Sequence, residues 1–144
     1  MKGQWTNIYS VDLALRSWWV DSVNDCKYVS ILLPEVFGIN NWIRSFSEKL
    51  AQQNVPVLAL PLYGRTAPNL DLEYSEEDLK LGRHHKNLTT LKNIIEDVSA
   101  AINWVKEKYP SKKISIIGFC FGGHAAFIAS SIKGIESSFC FYGA

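Results

Sequence analysis

The run Ile117-Gly118-Phe119-Cys120-Phe121-Gly122-Gly123-His124 decides how the rest of this 144-residue chain is read. Before it, Lys113–Gly118 (KISIIG) reads as a buried strand; after it, Gly123 to Lys133 reads as a helix around AAFIAS. A strand that passes straight into a helix through Gly-x-Cys-x-Gly-Gly has the form of a nucleophile elbow, with a thiol where G-x-S-x-G enzymes carry a hydroxyl. Such a turn strains the backbone of its central residue and leaves no room for bulky neighbours, a need that Gly118, Gly122 and Gly123 meet. Cys120 then projects above the carboxyl end of a strand, where open α/β sheets place their ligands. The N–H groups opening the next helix point to the same spot, and can stabilise a thiolate or an oxyanion. The competing reading of Cys120 is a small core residue in a tight turn.

Working outward, short apolar runs alternate with helical patterns, the mark of βαβ units around a parallel sheet. Tyr28–Leu33 (YVSILL) is a buried strand that ends at Pro34, Glu35, Val36, Phe37 and Gly38. Asn41 to Gln53 follows as an amphipathic helix with Trp42, Ile43, Phe46 and Leu50 on one face, capped by Asn40 or Asn41 and stopped at Asn54. Val55–Leu60 (VPVLAL) is the next strand. Residues 61–85 form a long polar connection, of a length that usually marks a lid or binding loop or carries a short helix. A helix is predicted from about Asn87 to Tyr109, its buried stripe running from Leu88, Leu91, Ile94 and Ile95 to Val105, and Pro110 stops it. Glu136–Tyr142 reads as a fourth parallel strand. The first 26 residues are the least readable; stretches around Asn7–Leu15 and Ser17–Val20 suggest an antiparallel start.

Composition narrows the function. Fifteen Lys and Arg against 14 Asp and Glu leave a net charge of +1, which argues against an electrostatic nucleic-acid binder. A 47% hydrophobic and 20% charged chain is a globular one, and no run of about 18 apolar residues is available to span a membrane. MKGQWTNIYSVD lacks the features of a signal peptide. Three cysteines at irregular spacing argue for a reducing compartment, and the cytoplasm is the expected address. Cys140 is expected to be inert core, and Cys26 a loop or half-buried position. No spacing suits a metal, and no glycine-rich phosphate loop is present, so no cofactor is expected.

LPEVFGIN (Leu33–Asn40), LYGRTAP (Leu62–Pro68) and GFCFGG (Gly118–Gly123), in this order along the chain, resemble the dienelactone hydrolases, across roughly residues 28–144. The resemblance implies an α/β-hydrolase fold, a mostly parallel sheet with helices on both faces, and the opening of a lactone or small carboxylate-bearing ester through a thioester acyl-enzyme. It further implies that Cys120 is the nucleophile and that Glu35 takes the thiol's proton when substrate binds. Val36 and Phe121 would supply the N–H pair of the oxyanion hole, and Arg65 would pair with the substrate carboxylate. The family's Asp before Leu-Tyr is replaced here by Pro61. The residues themselves point the same way: apolar flanks suit a carboxyl held for proton transfer, and a bidentate guanidinium suits a planar anion.

A thiol nucleophile of this kind works with a His base and an orienting acid, which in this fold follow the nucleophile in the chain. His84, His85 and His124 are the histidines present: the first two are expected to be exposed, and His124 to cap or pack at its helix start. The expectation is therefore a single domain over residues 1–144, the N-terminal part of a chain of roughly 220–250 residues, with its last strands and helices missing. The alternative class is a non-catalytic α/β module, or a thiol-based redox or binding domain.

Overall fold

The computed structural model describes residues 2–143. Alternation along the strands explains its layering. In β3 (Tyr28–Leu33), Val29, Ile31 and Leu33 face one core while Leu32 faces another. In β5 (Lys113–Phe119), Ile114 and Ile116 join the first core, and Ile117 and Phe119 the second. A strand apolar on both faces needs cover on both. That cover is α1 (Asn41–Gln52) on one side, and α3 (Leu91–Lys108) with α4 (Phe121–Ala129) on the other. Each fully buried Ile or Leu of this sandwich contributes about 1.5–3 kcal/mol.

The remaining elements are β1 (Gln4–Ser10), β2 (Leu13–Val20), β4 (Val57–Ala59), α2 (Glu76–Leu88) and β6 (Ile135–Phe141). One six-stranded sheet runs β1-β2-β4-β3-β5-β6. β1 and β2 form an antiparallel hairpin, β2 lies antiparallel to β4, and β4, β3, β5 and β6 are mutually parallel. The fold is α/β-hydrolase-like, a mostly parallel sheet with helices on both faces, as read from sequence.

Four local readings change. The opening strands are Gln4–Ser10 and Leu13–Val20, turning at Val11 with φ of 44°, rather than Asn7–Leu15 and Ser17–Val20. The helix expected from Asn87 is two: α2 ends at Leu88 and α3 begins at Leu91, capped by Thr90 Oγ1 accepting from Asn93 N–H at 3.1 Å. Leu88 and Leu91 flank that break and are exposed, as is Ile95, so the buried stripe starts at Ile94. Cys26 lies in the loop before β3 as expected but is buried there, and Cys140, expected in the core, is exposed. Cys140 lies on β6, which pairs only with β5 among the described residues, so its apolar pattern is not covered; Phe139 and Phe141 are also exposed.

Within the described residues, no helix is long and apolar enough to cross a membrane. No group of three or more His, Cys, Asp or Glu there could hold a metal.

Candidate active site

β5 delivers the chain to Cys120, whose φ of 56° and ψ of −119° carry the backbone strain the motif predicts. Two backbone bonds lock it: Cys120 N–H donates to Phe141 O at 3.0 Å, and its carbonyl accepts from His124 N–H at 3.1 Å. The flanking glycines are there for contact distance. A Cβ on Gly118 would collide with the Gly122 carbonyl, and one on Gly122 with the carbonyl of Leu33. The elbow is thus wedged against the end of β3, beside Pro34 and Glu35. As the first residue of α4, Phe121 has no acceptor for its N–H within the helix, and the thiol stands at that helix's positive end.

The segment after β3 is braced from two sides. Gly38 forms a bridge with Asp71, and its φ of 81° brings it against the Leu70 carbonyl, where any side chain would clash. Leu72 N–H donates to Phe37 O at 3.0 Å, and Asn40 Nδ2 donates to Leu72 O at 3.2 Å. Asn40 also caps α1, accepting from Ile43 N–H at 3.2 Å. α2 then lies over this segment, its one buried residue, Gly82, pressed on the Val36 carbonyl.

Glu35 is half-buried and accepts two phenolic hydrogen bonds, from Tyr74 Oη at 3.0 Å and Tyr142 Oη at 3.1 Å. Burial, and then the negative charge of Glu35, push the Tyr142 hydroxyl up to about 12. A folded-state value above the ordinary 10 means that Tyr142 supports the fold below pH 10, and that this support is lost as pH rises through 12. A tyrosinate absorbance titration should therefore lose a step near pH 12 in Tyr142→Phe. If the step that disappears lies near pH 10 instead, the Glu35–Tyr142 bond is not formed in solution.

Arg65 is brought to a carboxylate of its own chain. Its guanidinium grips Asp97 through Nη1 at 2.8 Å and Nη2 at 3.1 Å, and reaches Glu96 at 3.4 Å. Asp97, 1% exposed, also accepts from Ser10 Oγ at 2.7 Å. The pairing with Asp97 holds the Arg65 guanidinium above its ordinary range.

The site holds residues that the sequence reading passed over: Tyr63, Tyr74, Tyr142 and Asp97. Tyr63 lies inside LYGRTAP, so its motif was in view; Tyr142 sits at the end of an apolar strand and carried no signal. Tyr63 is 4% exposed, stacks on Phe121 at 6.0 Å and 15°, and has a buried hydroxyl without a hydrogen-bond partner among the described residues. Of the histidines, His84 and His124 are exposed, and His85 is half-buried, with Nδ1 2.9 Å from Thr66 Oγ1. No hydrogen bond joins Cys120 to a histidine among the described residues.

A strand–thiol–helix elbow beside a carboxylate segment agrees with what the chain matches: the model of the dienelactone hydrolase family aligns with residues 18–144. The chain belongs to the dienelactone hydrolase family. Among its relatives, a Synechocystis protein named "Putative carboxymethylenebutenolidase" is 31% identical over 118 residues, 81% of this chain and 48% of the relative. The carboxymethylenebutenolidase of Pseudomonas putida is 25% identical over 117 residues, 80% of this chain and 50% of that enzyme. This dienelactone hydrolase family chain therefore spans about half the length of the curated relatives it matches. In fold, it superposes on the Klebsiella pneumoniae "Putative Dienelactone Hydrolase" with a TM-score of 0.82 at 21% identity, covering 98% of this chain and 59% of the other.

Proposed function

We propose that the chain carries the nucleophilic half of a hydrolase that opens a lactone or small ester by forming a thioester on Cys120. The observation that carries the reading is the strained Cys120 at the N-terminus of α4, wedged beside the Glu35 segment. The Cys120 thiol gives its proton to the Glu35 carboxylate, and Sγ attacks the carbonyl carbon. The carbonyl electron pair moves to oxygen, where the N–H groups of Phe121 and Val36 receive it. As the tetrahedral species collapses, the ester C–O bond breaks, and the leaving oxygen takes the proton from Glu35. Water then cleaves the thioester.

The two phenols on Glu35 fit this role. Donors from Tyr74 and Tyr142 fix the orientation of the carboxylate that is to receive the thiol proton. Arg65 fits a different role from the one expected by resemblance. Its fork already grips a buried aspartate, so a substrate carboxylate would have to displace Asp97. We assign Arg65 to holding the 61–72 segment against α3.

The test is mass spectrometry after mixing with p-nitrophenyl acetate. An acetyl group on the peptide containing Cys120 is the expected result. Alkylation of Cys120 by iodoacetamide without any acetylation by the ester would overturn the hydrolase reading, and favour a thiol-based redox or binding module.

A further inference from the structure

The Tyr63 hydroxyl is the unexplained group of this site. A buried O–H without a partner is rare in folded proteins, because the water it loses is not replaced. This one cannot turn away. The Tyr63 carbonyl accepts from Thr66 N–H at 3.1 Å and Ala67 N–H at 2.8 Å, and the ring is held between Phe121 at 6.0 Å and His85 at 5.8 Å. Phe121 is the residue directly after the thiol, and its N–H opens α4. The phenol is thus packed against the same elbow that presents Cys120.

We propose that Tyr63 Oη donates a third hydrogen bond to the oxyanion formed on attack by Cys120, beside the N–H groups of Phe121 and Val36. The proposal rests on the hydrolase reading given above. No proton is transferred: Oη keeps its hydrogen, which bonds to the carbonyl oxygen when the electron pair moves there and is released when the C=O re-forms. A donor that is orphaned in the free protein and satisfied only when negative charge develops stabilises the transition state more than the ground state. Its protonation state suits the task. Burial pushes the phenol well above its ordinary range, and a negative Cys120 raises it further, so the hydroxyl keeps its proton and remains a donor at neutral pH.

Tyr63→Phe removes the hydroxyl and keeps the ring stack. Two single-turnover rates on the full chain separate the possibilities: acetylation of Cys120 by p-nitrophenyl acetate, which builds an oxyanion, and alkylation by iodoacetamide, which does not. The expected result is acetylation slowed by about 10²-fold, alkylation unchanged, and a thermal midpoint equal to or above the parent's because an unsatisfied group has gone. An equal fall in both rates would mean that Tyr63 acts only through the thiol or the packing, and overturns the proposal. No change in either rate would point instead to a water in the cavity of about 10 Å³ that Tyr63 lines with Pro34, Glu35 and Pro61 as the partner of the hydroxyl, and overturns it too. A parent chain that is alkylated and never acetylated removes the hydrolase reading and this proposal with it, an outcome distinct from the other two.

Discussion

In a Cys120→Ala chain, acetylation by p-nitrophenyl acetate falls to the rate of the ester in buffer, while the thermal midpoint stays within about 2 °C of the parent. The two halves of that result have separate causes. The chemistry goes because no other thiol stands at an elbow: Cys26 is buried in the core, and Cys140 is exposed on β6. The fold stays because the strain at residue 120 belongs to the backbone. Alanine has a Cβ as cysteine does, so it meets the same cost at φ of 56°, and the bonds to Phe141 O and from His124 N–H are unaffected. The Cys120 side chain makes no hydrogen bond within the described residues that would be lost. A variant that keeps more than a few per cent of parental acetylation would move the nucleophile elsewhere; thermal melting and peptide mapping together decide it.

Arg65→Ala gives the opposite pattern. It leaves the Asp97 carboxylate, 1% exposed, with Ser10 as its one remaining partner, and an uncompensated buried charge of this kind costs about 3 kcal/mol or more. For a chain of this size that lowers the thermal midpoint by on the order of 10 °C. Arg65→Lys should recover only part of it, since an ammonium cannot reproduce the two-pronged grip at 2.8 and 3.1 Å. Replacing both partners, Arg65→Met with Asp97→Leu, should bring the midpoint back toward the parent, because the buried charge is then gone. The measurement separates the two roles open to Arg65. If the midpoint of Arg65→Ala is unchanged while KM rises for esters bearing a carboxylate and not for neutral ones, the guanidinium serves substrate rather than the loop.

The elbow was legible in the sequence because its turn is written in one short motif, even though Gly122 is also needed against the distant Leu33 carbonyl. Gly118 meets Gly122, and the spacing that brings them together is printed in the motif. The parallel strands were legible for a similar reason, since burial on both faces leaves continuous apolar runs. What was not legible depends on partners far along the chain. Tyr74 and Tyr142 meet on Glu35 from 39 and 107 residues away, and nothing in either one's neighbours announces that meeting. Asp97 sits in α3, and its partners Arg65 and Ser10 come from two other parts of the chain, so nothing local marks it as a buried anchor. α2 failed differently. Its polar sequence gives little periodic signal, yet Ser75 and Asp78 form a cap, with Ser75 Oγ accepting from Asp78 N–H at 3.1 Å, and that spacing was readable. The Cys140 reading rested on an apolar neighbourhood alone, which says that a strand can be buried and not that something covers it.

The segment between β4 and α2 is pinned to other elements at Arg65, Asp71 and Leu72, and Thr66 adds a tie to His85. Gly38 and Asn40 hold Asp71 and Leu72, and Asp97 holds Arg65. For anyone wishing to retarget this scaffold by directed evolution, those pins divide the stretch into unequal parts. Pro68 and Asn69, together with the outward positions of α2 at Arg83 and His84, are the places to randomise. Libraries that also vary Gly38, Asn40, Arg65, Gly82 or Asp97 will spend most of their members on chains that no longer hold the loop beside the elbow.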